Sequence, residues 1–271
     1  MSTLLRTRSS DGVLRITLHR PQVRNAFDAA LLEELRLAFE EAAADASVRI
    51  VVLGGAGTHF CAGGDIEWMK RVLAASPEEK RVHAMQVAGM YRAVHALPQP
   101  LVAQVQGTAM GGGMGLVCCA DFVVAAADAR FALSENRLGI VPAAISPYMV
   151  AALGARRAVQ LALAGETVDV QRAREIGLVT HVAAPGALEA EVRGLLAQLL
   201  GSASGAQRQT KSLLRAVEAQ APDAHREALA VDALVTAWSG GEAAEGFRAF
   251  LERSVPPWRV TPVQQHPAAA G

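Results

Sequence analysis

Gln104-Val105-Gln106-Gly107-Thr108-Ala109-Met110-Gly111-Gly112-Gly113-Met114-Gly115-Leu116 is the stretch from which the fold is read. An apolar, strand-like run over 100–105 leads into it, and a helix-like apolar run over 116–120 leads out. Glycines at such a junction let backbone N–H groups approach a ligand, because no Cβ stands in the way. A helix that starts there points its free N–H groups and the positive end of its dipole at the same place. The ligand implied is an anion, or an oxygen that becomes negative during reaction. A second glycine site, Cys61-Ala62-Gly63-Gly64-Asp65, follows a strand-like run over 49–53. The two sites could each supply one N–H to a single oxygen. A tight turn is the plainer reading of any glycine run. The glycines at 111, 112, 113 and 115 are not in G-x-G-x-x-G order, and no G-x-x-x-x-G-K-[ST] occurs, so neither nucleotide fingerprint is met.

The totals narrow the classes. In 271 residues, 51% are hydrophobic, enough for a sizeable core and for some burial between subunits. Lys plus Arg and Asp plus Glu are 26 each, so the formal charge is zero, which argues against nucleic-acid binding and against a basic membrane-surface role. Cys61, Cys118 and Cys119 have neither metal nor disulfide spacing, and a reducing compartment is expected. Cys61 has no paired His to activate a thiolate. No signal peptide, membrane span, metal motif or internal repeat is expected.

Along the chain, 13–18 alternates like a half-buried strand, preceded by a turn at Asp11-Gly12 and a strand over 4–7. Asp28 is a candidate N-cap for a helix reaching about 44. Residues 50–53 read as a strand buried on both faces. Helices are predicted over 65–73, 78–97 and 114–120, strands over 101–105 and 122–126, and a short extended piece over 131–133. This alternation predicts an α/β fold with parallel pairing. Helices follow over 146–153, 155–164 and 170–176, then a last strand over 178–182. From 185 on the pattern is helical, over 187–200, 205–219, 222–238 and 241–253. The organisation read from this is a core over 1–185, a helical region over 186–255 and a loosely held tail over 256–271.

Five pieces in order resemble the enoyl-CoA hydratase/isomerase family, the crotonase superfamily. They are Leu18-His19-Arg20-Pro21 with Arg24-Asn25-Ala26; Phe60-Cys61-Ala62-Gly63-Gly64-Asp65-Ile66; 100–121; Gly139-Ile140-Val141-Pro142; and Ala173-Arg174-Glu175-Ile176-Gly177-Leu178-Val179. The resemblance implies an α/β crotonase-like spiral of ββα turns with a helical C-terminal trimerisation region, assembled as a homotrimer or dimer of trimers in the cytoplasm. It implies an acyl-CoA substrate, with coenzyme A part of that substrate, no separate cofactor and no metal. The thioester oxygen would lie between the amides of Gly64 and Gly112. Arg24 and Ala26, with backbone groups at Ala62, Gly64, Asp65 and Ile66, would meet the CoA; Arg24 would face a phosphate. Asp65 reads equally well as the N-cap of the next helix.

Two-glutamate hydratases of the family carry one acid two residues past the triple glycine, where this chain has Gly115, and another at the position of Glu135. One acid remains, Glu135, otherwise read as a solvated loop carboxylate. As the catalytic group it would take a proton from water and return it to the α-carbon, or shuttle one between α- and γ-carbons. The runs 111–116, 134–139 and 143–148, with 245–252 and Pro257-Trp258, are similar to a hydratase subgroup acting on methylglutaconyl-CoA and related isoprenoid glutaconyl thioesters. Hydration of a branched glutaconyl-type 2-enoyl-CoA is therefore the leading reading. A single-glutamate Δ3–Δ2-enoyl-CoA isomerase is the first alternative and a non-catalytic acyl-CoA-binding member the second. A distal substrate carboxylate would want a cation, with Lys70, Arg71, Arg81 and Arg137 as candidates. Gly115 would leave room near the β-carbon for a branched acyl chain. Asp121, His59 and His181 are read as structural or solvent-facing.

Overall fold

The computed structural model describes residues 2–218 and 241–258. Antiparallel β1 (Leu4–Arg8) and β2 (Val13–Leu18) open it, joined by a turn in which Gly12 takes φ +86°. Helix α1 (Ala29–Ala44) begins at Asp28, whose carboxylate accepts from Leu31 N at 2.9 Å, the N-cap bond expected of an Asp there. Its buried face, Leu31, Leu32, Leu35, Ala38, Phe39 and Ala42, follows the 3.6-residue period. Strand β3 (Ile50–Gly55) comes next, then α2 (Ile66–Ala74) and α3 (Pro77–Ala96). Ser76 and Glu79 form a reciprocal capping box at the start of α3, with Pro77 in its first turn.

The second half of the core repeats a pattern of strand, short strand, helix. Strand β4 (Leu101–Val105) runs into β5 (Thr108–Met110) and α4 (Gly112–Cys119); β6 (Phe122–Ala126) runs into β7 (Arg130–Ala132). Helices α5 (Ser146–Leu153) and α6 (Ala155–Ala164), strand β8 (Thr167–Asp169), helix α7 (Val170–Glu175) and strand β9 (His181–Ala183) complete it. The six-stranded sheet has the order β1-β2-β3-β4-β6-β9, parallel from β2 onward. Its central strands are buried on both faces, as their unbroken apolar runs require.

A second sheet, β5-β7-β8, was not foreseen beyond the piece at 131–133. Isolated bridges extend it: Cys61 pairs with Ala109, and Phe27 with Gly64. Each of four successive turns thus contributes one strand to the large sheet and one short extended segment to a second layer. That is a spiral of ββα turns, and it stacks the segments at 27, 61–64, 108–110 and 130–132 side by side. The glycine turns lie in this layer.

Two elements start two or more residues away from expectation. Helix α4 starts at Gly112, two residues earlier than predicted, because Gly112 and Gly113 are helical and press on Phe27 and Cys61. The last strand starts at His181: Leu178 N and Val179 N both bond Ala173 O, so these residues close the end of α7. By contacts the chain divides after Arg193, within helix α8 (Leu188–Leu200). In the second unit, Glu242 at the start of the helix Gly241–Glu252 accepts from Gly205 N and Ala206 N at 2.9 and 2.8 Å, capping α9 (Ser204–Glu218). The expected helix over 222–238, and the tail beyond 258, lie outside the described residues. Among the described residues no helix is long and apolar enough to cross a membrane.

Candidate active site

The site begins with a bracket around residue 25. Asn25 is fully buried at φ +57°, a left-handed conformation that Asn tolerates better than most residues. Its Oδ1 accepts from Arg20 N, and its Nδ2 donates to Ala56 O and His59 O at 2.9 and 2.8 Å. Ala62 N donates to Arg24 O at 3.0 Å. The loop at 24–26 is thereby fixed to the loop at 56–62. Phe27 then pairs with the second glycine site: Phe27 N donates to Gly63 O and Asp65 N to Phe27 O, both at 2.7 Å. These two bonds flank Gly64 and leave its N–H facing away from the pairing.

Asp65 is the N-cap of α2. Its Oδ1 accepts from Glu67 N and Trp68 N, and its Oδ2 accepts from Arg20 at 2.9 Å. Arg20 also pairs with Asp28 at 3.0 Å and bonds Ala26 O, so one half-buried guanidinium ties together the starts of α1 and α2. Burial pushes the Asp65 carboxyl up, but the Trp68 N–H, Arg20 and the Glu67 N–H together outweigh it and hold it below the usual range. The side chain is engaged structurally, and so is the backbone of Asp65, whose N–H donates to Phe27 O and whose carbonyl accepts from Met69 N at 2.8 Å.

The long glycine run meets this loop from the other side. Met110 N donates to Cys61 O and Gly111 N to Ala132 O, each at 2.9 Å. Gly111 turns the chain at φ +49°, ψ −117°, and α4 starts at Gly112 without a side-chain cap. A Cβ on Gly63 would lie 3.1 Å from Met110 O and 3.7 Å from Gly112 N, so the two turns are in contact. The N–H groups of Gly64 and Gly112 make no hydrogen bond to any described residue. Each is an unsatisfied donor of the kind a helix start or tight turn offers an anion.

Glu135 completes the group. It opens a short 3-10 helix, Glu135–Leu138, and its Oε1 lies 3.2 Å from where a Cβ on Gly111 would stand. Its Oε2 is buried without a hydrogen-bond partner among the described residues. Burial raises the carboxyl above its ordinary value, against the opposing effect of the Glu135 and Ser134 N–H groups. A carboxyl held this way sits closer to neutral pH than a solvated one, which suits proton transfer. Glu135 thus lies against the turn at Gly111, and that turn lies against Gly63.

Gly115 contradicts the expectation drawn for it. A Cβ there would overlap Ile145 Cγ2 and lie 2.9 Å from both Cε1 and Oη of Tyr91. The position holds no spare room for an acyl branch; it is filled by Tyr91 from α3 and Ile145 before α5. Tyr91, unnoticed in the sequence, is 1% exposed and its hydroxyl donates to Gly112 O at 2.7 Å.

Of the remaining candidates, Arg24 is exposed at φ +54°, Ala26 is buried, Ala62 is half-buried, and Ile66 is exposed. All four lie on the bracket that carries Gly64. Lys70 pairs with Glu67 at 2.8 Å on the surface, whereas Arg71, Arg81 and Arg137 are exposed. Burial pushes the Cys61 thiol up to about 12, so it stays protonated. His59 meets Thr108 Oγ1 at 3.1 Å, His181 meets Thr180 Oγ1 at 2.8 Å, and Asp121 accepts from Leu101 N at 2.8 Å. Among the described residues no group of three or more His, Cys, Asp or Glu side chains could hold a metal ion.

A family model described as enoyl-CoA hydratase/isomerase matches residues 8–261. The chain is 37% identical to the 2,3-dehydroadipyl-CoA hydratase of Escherichia coli over 67% of its own length and 69% of that protein. It is 31% identical to the crotonyl-CoA hydratase of Syntrophomonas wolfei over 87% of its length and 90% of the relative. Among solved structures, Pseudomonas aeruginosa AtuE superposes with a TM-score of 0.91 at 41% identity, covering 95% of this chain and all of that one.

Proposed function

This chain belongs to the enoyl-CoA hydratase/isomerase family, and we propose that within it the protein adds water to a branched, glutaconyl-type 2-enoyl-CoA with Glu135 as its only catalytic carboxylate. The observation that carries this reading is the unpartnered, buried Glu135 oxygen beside two turns whose Gly64 and Gly112 amides have no other partner. The thioester oxygen sits between those amides. Glu135 as carboxylate takes a proton from water as the hydroxyl adds to C3. The C2–C3 π pair moves toward C1, and charge collects on the thioester oxygen, where the two N–H groups stabilise it. Glu135 then returns its proton to C2, so that one water has been added and the carboxylate is regenerated. Losing one such amide donor costs about 2.7–4 kcal/mol of transition-state stabilisation.

The glutaconyl assignment rests on the motifs at 111–116, 134–139 and 143–148, and on a relative named for a dehydroadipyl thioester. The CoA moiety is held along the bracket of Arg24, Ala26, Ala62, Asp65 and Ile66, and the protein works as a trimer or dimer of trimers. Arg71, Arg81 or Arg137 answers a distal carboxylate. A second reading is favoured by one observation: Tyr91 and Ile145 occupy the ground of a second acid, and a lone Glu135 suffices to move a proton between C2 and C4 in a Δ3–Δ2 isomerisation.

A substrate panel with the parent and Glu135→Gln tests both. Loss of conjugated enoyl-thioester absorbance from 3-methylglutaconyl-CoA, abolished in Glu135→Gln, supports hydration. A gain of that absorbance from a 3-enoyl-CoA supports isomerisation. Binding without turnover of any acyl-CoA by the parent would leave the non-catalytic reading.

A further inference from the structure

Gly112 has no side chain to orient it, and Gly111 before it provides no cap. Two aromatic residues do the holding. Ring carbons Cε2 and Cδ2 of Phe27 lie 2.6 and 2.9 Å from the Cβ position of Gly112, and the Tyr91 hydroxyl lies 2.9 Å from it. Tyr91 Oη also donates to Gly112 O at 2.7 Å, and the phenol is fully enclosed, with Tyr148 at 5.9 Å between ring centroids. Phe27 makes the two backbone bonds that flank Gly64. One residue therefore grips one amide by its main chain and the other by its ring, while a second holds Gly112 through its carbonyl.

We propose that Phe27 and Tyr91 are positioning residues that together set the Gly112 amide relative to the Gly64 amide. This rests on the oxyanion role proposed for those two amides. Tyr91 acts through the carbonyl of Gly112, and Phe27 through contact and strand pairing. A glycine packed between two aromatic groups on one side of its Cα has little freedom to tilt. A misplacement of 1 Å in such a site can cost about 100-fold in rate.

Acetoacetyl-CoA is the probe. On the enzyme its C2–H bond breaks, the proton passes to solvent and the electron pair spreads over the carbonyl oxygens, giving an enolate that absorbs where the keto form does not. The apparent pKa of the bound probe then reports oxyanion stabilisation whichever reaction the protein catalyses. Tyr91→Phe, which removes one oxygen, is expected to weaken enolate formation roughly tenfold, a shift of about one unit upward, with binding of the keto form within about twofold. Phe27→Leu shifts it in the same direction. Ile16→Val, a core truncation in β2, lowers the Tm comparably and leaves the enolate signal where it was. If Tyr91→Phe and Phe27→Leu both form enolate as the parent does, the clamp is wrong while the oxyanion site stands. A parent that binds the probe without enolising it overturns the oxyanion reading and the clamp with it.

Discussion

Gly115→Ala tests whether the place of a second acid is closed by packing. The added methyl would overlap Ile145 Cγ2 and stand 2.9 Å from two atoms of the Tyr91 ring and hydroxyl. Neither neighbour can yield easily: Ile145 is 3% exposed, and Tyr91 is both buried and bonded to Gly112 O. Overpacking a core in this way costs about 1–3 kcal/mol. Against it, Ala is favoured over Gly inside a helix by about 1 kcal/mol. Two rigid contacts put the cost at about 2–3 kcal/mol, the upper part of that range, so the balance is a loss of about 1–2 kcal/mol, or roughly 2–8 °C in Tm at about 2–4 °C per kcal/mol for a chain near this size. Thermal unfolding followed by circular dichroism at fixed protein concentration reads it. Ile145→Ala alone should cost about 2–5 kcal/mol through the cavity it leaves. In the double variant the new methyl occupies part of that cavity, so the pair should fall short of the sum by about 0.5–3 kcal/mol. Additivity, or a Gly115→Ala protein about 1 kcal/mol more stable than the parent, would show that these side chains do not meet. The reasoning about the missing acid would then fail, because a glutamate at 115 begins with the same Cβ.

Further outcomes follow from the site. Glu135→Gln should lower kcat by about 10²–10⁴-fold while acyl-CoA still binds in equilibrium dialysis; unchanged turnover would remove Glu135 from the chemistry. Because burial raises its folded pKa, Glu135 adds stability that is fully present below the ordinary glutamate value of about 4.3 and lost as pH rises through the higher folded value. Glu135→Gln should accordingly melt above the parent at neutral pH, and the acid limb of the parent's kcat/KM should lie above a solvated glutamate's. Asp65 has the opposite sign: its lowered pKa gives stability that disappears as pH falls through the folded value, so Asp65→Asn should flatten the acid side of a Tm–pH curve. Asn25→Ala strips partners from Arg20 N, Ala56 O and His59 O in a left-handed turn, and should cost about 3 kcal/mol in denaturant unfolding.

Much of this was legible because the features concerned are written locally. The strand over 13–18 carries its period in the side chains, those over 50–53 and 101–105 are short apolar runs, and Asp28, Asp65 and Pro77 mark helix starts by their own chemistry. The glycines at 63–64 and 111–113 announced a close backbone approach, which the contacts with Met110 O, Phe27 and Cys61 bear out. The second sheet was not legible: strands of three residues, such as Thr108–Met110 and Thr167–Asp169, are too short to show alternation. Nor was Tyr91, which reads as one more apolar position beside Met90 and Val94 until its hydroxyl is seen on a carbonyl from another helix. Arg20 gave a signal that went unread. An arginine just after a strand, with Asp at two helix starts, can satisfy both carboxylates at once, and here it does. Gly115 misled for a general reason: a missing side chain says nothing about what neighbours have grown into its space.

That last point bears on how a reaction is chosen on this scaffold. In the proposed mechanism the oxygen-stabilising groups are main-chain amides, so no side-chain substitution removes them outright; substitutions act by moving the glycines that carry them. The number of carboxylates, in contrast, depends on whether position 115 can accept a side chain, and that is decided by residues 91 and 145 on neighbouring segments. Tyr91 takes part in both matters, bonding the carbonyl of Gly112 and filling the space at Gly115. A second acid therefore cannot be introduced at 115 without disturbing the residue that holds one of the amides. Restoring a two-carboxylate site would require changing 91, 115 and 145 together, and any route that changed 91 first would weaken the oxyanion site before the second acid was in place.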